Sequence, residues 1–188
     1  MPTSINKLVE AFPQPTIPPI IGVPTYDTIS EVIMILSSNA ALILTNLGCG
    51  TLGYLALLET PDIYNTISAT PFVPPPNPGA APTVPPGTTS IEQTRIRYDF
   101  VAATSLYSQL HNVKGALLQQ LLGSVDNIYL WSLQTRHIGY GNTTVRQFLD
   151  HLISTYPNIS AADFQDNDAR FRKPYNPNLL FGTVLDQV

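Results

Sequence analysis

The chain has 188 residues, a formal net charge of −4 and 44% hydrophobic residues. That length fits one domain, or one domain and the start of another, with enough apolar residues for a core. Charged residues reach only 12%, against about 25% in an average globular chain, which favours self-association. The nine basic residues are scattered, which argues against nucleic-acid binding because phosphate contacts need clustered Lys and Arg. Cys49 is the only cysteine, so neither an internal disulfide nor a cysteine-built zinc site is available, and a reducing, cytoplasmic setting is expected. No secretory signal pattern opens the chain, so the acceptor patterns at Asn142 and Asn158 are expected to be accidental. The longest apolar run, residues 32–44, is broken by Ser37, Ser38 and Asn39 and is too short to span a bilayer.

In chain order, residues 1–24 read as an extended arm, because prolines crowd residues 13–24 and proline cannot enter a helix interior. Residues 25–70 read as an N-terminal helical part. Thr28 and Glu31 match a capping box, with Ile29, Val32, Ile33, Leu36, Ala40 and Ile43 on one face. The β-branched Val32, Ile33 and Ile35 leave a strand as the alternative for part of this run. Gly48, Gly50 and Gly53 form a turn, and residues 54–58 are expected to be extended. Thr60 and Pro61 then read as an N-cap and a first-turn proline of a helix reaching about Ser68.

Residues 71–89 contain PFVPPPNPGAAPTVPP, a stiff segment of polyproline character. Its plainer role is a spacer, and partner docking through its polyproline face is the alternative.

Residues 90–178 read as a helical core. Ser90 and Gln93 match a capping box, and the helix after it is expected to bury Ile91, Thr94, Tyr98, Val101, Ser105 and residues 107–110. A break is expected near Asn112, with a second helix ending at Gly123. Ser124 is expected to cap a helix carrying Val125, Ile128, Tyr129 and Leu133. Gly139 and Gly141 form a turn. Thr144 and Gln147 match a third capping box, opening a helix with Val145, Phe148, Leu149 and Leu152 inward and stopping before Pro157. Ser160 opens a helix to about Phe171, ended by Pro174 and Pro177. Asn178 caps the last segment, residues 179–188, whose stripe of Leu180, Phe181, Val184 and Leu185 reads as the start of a further helix or subdomain. The fold class is therefore all-α, with about six to eight helices.

No catalytic pattern occurs: GxSxG, HExxH, the P-loop, CxxC and the Asp-Thr/Ser-Gly protease signature are all missing. Cys49 has no histidine at a spacing that suggests a nucleophile and base, so His111, His137 and His151 read as structural. Asp163, Asp166 and Asp168 lie on an expected helix without the glycine bend of a calcium loop. Arg170, Arg172 and Lys173 read as a solvated helix end complementing the dipole. The run GCGTLG at residues 48–53 lacks the lysine of a phosphate loop. Trp131 and the tyrosines fall at helical spacing and are expected in the core, with a binding face as the alternative. No catalytic, cofactor or metal residue is therefore assigned, and no enzyme activity is expected.

Six stretches carry a family resemblance: GVPTYDTI (residues 22–29), SNAALILTNLGCGTLGYLAL (38–57), ATPFVPPPNPG (69–79), VDNIYLWSL (125–133), GYGNTTVRQFLDHL (139–152) and ISAADFQDNDARFRKPYNPN (159–178). In this order and spacing the chain resembles the N-terminal region of the Gag-like capsid protein of copia-type LTR retrotransposons. Gly141 and Pro157 depart from that pattern, which would carry Ala and Gly there. The resemblance implies a helical, retroviral-capsid-like subunit that assembles with copies of itself into virus-like particles. RNA packaging would belong to a basic or zinc-knuckle region further downstream. A Gag-like protein repurposed as a monomeric protein-binding module is the alternative.

Overall fold

Thr25 starts the first long helix. Its hydroxyl accepts from the backbone of Thr28 while the Thr28 hydroxyl accepts from the Thr25 N–H, a reciprocal cap that satisfies two orphan groups. Helix α2 therefore runs Tyr26–Ala41, three residues ahead of the expected Thr28 and Glu31 box. In the computed structural model of the chain, residues 4–156 and residues 165, 168 and 172 are described. Of the helix expected over residues 160–171 only residues 165 and 168 are described, both helical; the helix expected over residues 179–187 lies outside the described residues, as do Asp163, Asp166, Arg170 and Lys173.

Five α-helices and no strand occur among the described residues. Helix α1 spans Ile5–Ala11, so residues 1–24 are not extended throughout. No proline falls between Thr3 and Phe12, and Ile5, Leu8 and Val9 share one helical face that docks on the long helix α4, Ser90–Ser124. Gly115 of α4 permits that approach, since a Cβ there would lie 2.8 Å from Ile5 Cδ1. Helix α3 spans Pro61–Ile67, with Thr60 accepting from the Ile63 N–H and proline in the first turn, as the sequence indicates. Between them, residues 54–58 are not extended: Leu55–Leu57 form a 3-10 turn that buries Tyr54 and Leu58 on either side.

Helix α4 is unbroken over Ser90–Ser124, 35 residues, or about 52 Å at the usual rise. Its cap is Thr89 with Glu92, one residue before the expected box. The expected break at Asn112 is absent because Leu110, Val113, Ala116, Leu117 and Leu121 continue one buried stripe through it. That stripe meets α1, α2 and α5. Ser124 ends α4 rather than capping a new helix; its hydroxyl donates to the Leu121 carbonyl. Asp126 caps the next turn, and two 3-10 turns, Asn127–Tyr129 and Trp131–Leu133, replace the expected helix. Helix α5, Val145–Thr155, has the expected Thr144 and Gln147 box and buries the expected Val145, Phe148, Leu149 and Leu152. No described helix is long and apolar enough to cross a membrane.

The arm after α1 is held by a buried amide cluster. Asn39, on α2, accepts from the Gln14 N–H at 3.1 Å and donates to the Gln14 carbonyl at 2.8 Å and to Gln120 Oε1 at 3.0 Å. Gln120, on α4, donates in turn to the Gln14 and Pro15 carbonyls at 2.9 and 3.0 Å. Each buried polar atom so paired avoids a desolvation penalty of about 1–3 kcal/mol. We expect Asn39→Ala to lose about 3 kcal/mol, because it strands both the Gln14 N–H and Gln120 Oε1. Urea unfolding should show Asn39→Ala and Gln120→Ala together costing less than their sum, as both serve one cluster; strict additivity would contradict the cluster.

Candidate functional site

Four features outside the core bear on function. The first is the leading half of α4. Residues 90–109 include no buried position, although a buried stripe was expected there. Ile91, Tyr98 and Val101 are 80%, 73% and 63% exposed. Spaced by seven and three, they share one helix face. The buried stripe begins only at Leu110, so this half stands clear of the core. An Arg95 to Asp99 ion pair at 3.8 Å lies on the same half. Nothing in the sequence warned of this: Ile91, Ile96, Tyr98, Phe100 and Val101 are as apolar as a core-facing stripe.

The second is a cleft of about 520 Å³ among α1, the 3-10 turn at Leu55–Leu57, α4 and the start of α5. Ile5, Leu57, Leu118 and Val145 make it largely apolar, with Lys114 and His111 on its α4 wall. Arg146 is already engaged. It donates to the Leu58 carbonyl at 2.9 Å, pairs with Asp150 at 2.7 Å and lies 3.7 Å from Glu59. These bonds pin the α5 N-terminus to the chain around Leu58, while the buried Arg146 Nε is left without a partner. His111 stacks on Tyr107.

The third is the Cys49 turn. Gly48, Gly50 and Gly53 have φ of +60°, +76° and +50°. Gly53 is also packed tightly, since a Cβ there would press on the Ala40 and Ala41 carbonyls. Beneath the turn Phe72 meets the Tyr54 and Tyr64 rings edge-on at 6.2 and 6.1 Å. Cys49 Sγ lies 3.2 Å from Thr51 Oγ1. Hydroxyl donation from Ser68 first and Thr51 second lowers the thiol from its ordinary range to about 6. Ser68 also donates to the Thr70 carbonyl at 2.6 Å, so its proton is shared and Thr51 is the steadier donor.

The fourth is Trp131, which is 73% exposed rather than in the core. It lines a shallow cleft of about 610 Å³ with residues of the following turn, among them Gln134, Arg136 and His137. Among the remaining tyrosines, Tyr54 and Tyr64 are buried whereas Tyr26 and Tyr98 are exposed.

The structure does not bring Cys49 and a histidine together as partners. His151 Nε2 lies 3.1 Å from the Tyr129 carbonyl and 3.2 Å from Ser132 Oγ, and His137 lines the Trp131 cleft. Asp168 pairs with Arg172 at 2.9 Å. No group of three or more His, Cys, Asp or Glu that could hold a metal occurs among the described residues. No family model, curated protein or solved structure matches the chain.

The Cys49 environment has a measurable consequence. The folded pKa lies below the unfolded one, so its contribution to stability is complete above the unfolded value of about 8.5 and is lost as pH falls through about 6. We expect iodoacetamide alkylation of the folded protein to rise with a midpoint near pH 6, returning to about 8.5 in denaturant. Thr51→Val should move the folded midpoint upward; an unchanged midpoint would remove Thr51 as a cause.

Proposed function

We propose that the chain is a non-catalytic, cytoplasmic structural subunit that associates with copies of itself, of the kind formed by the Gag-like capsid proteins of copia-type retrotransposons. The observation that carries this reading is the leading half of α4, where Ile91, Tyr98 and Val101 share one exposed face. Large apolar residues clustered outside a core mark interaction surfaces. The low charge content points the same way, because few charged groups have to lose water when copies meet. The six stretches of family resemblance support the Gag assignment. Packaging of RNA is assigned to a separate downstream region, since the scattered cations of this chain make no phosphate track.

Shell contacts are individually weak and act through multivalency, so association should depend on protein concentration. It should also rise with salt, because screening weakens repulsion between acidic copies. Light scattering across a concentration and salt series tests this. We expect a growing apparent mass for the natural chain and a monomer for Tyr98→Asp or Val101→Asp, with unchanged far-UV circular dichroism because both positions are exposed. A strict monomer at every concentration and salt would favour the monomeric binding-module reading instead.

A further inference from the structure

We infer that the Trp131 cleft is a recognition site for a polyproline II segment, and that its occupant is the proline-rich segment of a second copy of this chain. The inference rests on the subunit reading above and names one contact through which copies would join.

The cleft is braced. Leu130, fully buried, fixes the chain just before the indole. The Trp131–Leu133 turn is tied to α5 through His151, which meets both the Tyr129 carbonyl and Ser132 Oγ. The turn beyond it is closed by paired backbone bonds between Thr135 and Gly139, each 2.9 Å. Gly139 takes a φ of +57° there, a conformation that glycine adopts without steric cost. The backbone that carries the indole is thus held in a fixed frame, so the order of that backbone does not have to be gained on binding.

The chemistry of the cleft selects its ligand. Around the indole stand four side chains that can donate: the indole N–H and the Arg136 guanidinium, which only donate, and the Gln134 amide and His137 ring, which also accept. All four side chains are exposed, and among the described residues none has a hydrogen-bond or ion-pair partner. The two donor-only groups beside an exposed ring favour a ligand rich in acceptors and apolar along one ridge. A polyproline II strand has that character, because its carbonyls are unpaired and its proline nitrogens carry no hydrogen. Aromatic-lined grooves take such strands at low entropic cost.

The chain supplies the ligand itself. Residues 73–86, VPPPNPGAAPTVPP, carry neither helix nor strand and are mostly exposed. The segment is held at both ends: Phe72 is wedged against Tyr54 and Tyr64, and the Pro85 carbonyl accepts from the Thr88 hydroxyl at 2.6 Å. Pro74, Pro75, Pro76 and Pro78 stand between those ties. Charge favours this occupant over the other candidate for an exposed tryptophan, a single-stranded nucleic acid. The cleft holds one permanent cation, Arg136, on a chain of net charge −4, whereas segment 73–86 bears no charge and meets no repulsion. Segment into cleft is a head-to-tail contact, which propagates from copy to copy.

Trp131 is the only tryptophan, so its emission reports this cleft alone. We expect a synthetic peptide of residues 73–86, titrated into the whole chain, to give a saturable blue shift. The same peptide with Pro74, Pro75 and Pro76 changed to Ala should bind at least about tenfold more weakly. No shift at millimolar peptide, or equal binding of the alanine peptide, overturns the inference. So does preferential binding of a single-stranded oligonucleotide whose affinity falls steeply with salt. Light scattering of Trp131→Ala separates the two readings. If that variant associates as fully as the natural chain, the cleft contact falls and the subunit reading stands. If the peptide binds but the natural chain never associates, the subunit reading falls and proline recognition by the cleft stands.

Discussion

The arm that follows α1 poses the problem around which the fold is arranged. Prolines at 13, 15, 18 and 19 deny it the helical ladder, and its carbonyls still need donors wherever it is buried. Asn39 and Gln120 supply them from two different helices. Their amides take the Gln14 N–H and the Gln14 and Pro15 carbonyls in one connected cluster, and the direct Asn39 to Gln120 bond ties α2 to α4 beneath the arm. With the arm so fixed, Phe12 and Ile17 enter the core on either side of it. Ile20 then donates to the Ser124 carbonyl at 2.8 Å, satisfying an acceptor at the end of α4. A half-satisfied version of this cluster would be worse than an apolar core, so it sets α2, α4 and the arm in a single arrangement.

That arrangement divides α4. Its trailing half is committed, with α1 on one side and α2 and α5 on others. Its leading half has no buried residue, and its cap at Thr89 and Glu92 must hold the end in water. The cap does so with a charged acceptor: the Thr89 hydroxyl and N–H donate to Glu92 and hold its carboxyl below the usual range. The proline-rich segment feeds directly into that cap, and Gln93 reaches back to the Thr88 carbonyl at 3.0 Å. The segment and the exposed helix therefore share one anchor.

Where a cap and a dense apolar stripe coincide, the sequence was easy to read. Thr144, Gln147, Val145, Phe148, Leu149 and Leu152 all take the expected places, and Thr60 with Pro61 opens α3. Where several hydroxyl residues stand within one turn, the register slipped: Thr25 and Thr89 cap α2 and α4, not Thr28 and Ser90, because local patterns do not say which hydroxyl faces the free N–H groups. Asn112 looked like a helix start, yet Leu110 and Val113 bury on one continuous stripe and override it. Burial itself was the least legible quantity. Ile91 and Tyr98 have the spacing of a core face, and only the fold reveals that both are exposed. Trp131 escaped for a related reason: its helix is replaced by two 3-10 turns, which point the indole outward while Leu130 before it points in.

The two proposed contacts differ in symmetry, and that difference matters for what can be built. A helix face paired with the same face on another copy is self-complementary and closes at two copies. A segment inserted into a cleft elsewhere on the next copy is heterologous and continues until a rotation closes it. Either alone is limited, the first to dimers and the second to rings or filaments. Together they join dimers along a second direction, which is the minimum needed for a sheet or a closed shell. Because the segment begins at Phe72, anchored on Tyr54 and Tyr64, and ends at the α4 cap, both contacts are held by the same rigid core. The angle between them would then be set by packing within the subunit, and a shell's curvature would follow from how α4 and the aromatic cluster sit on that core.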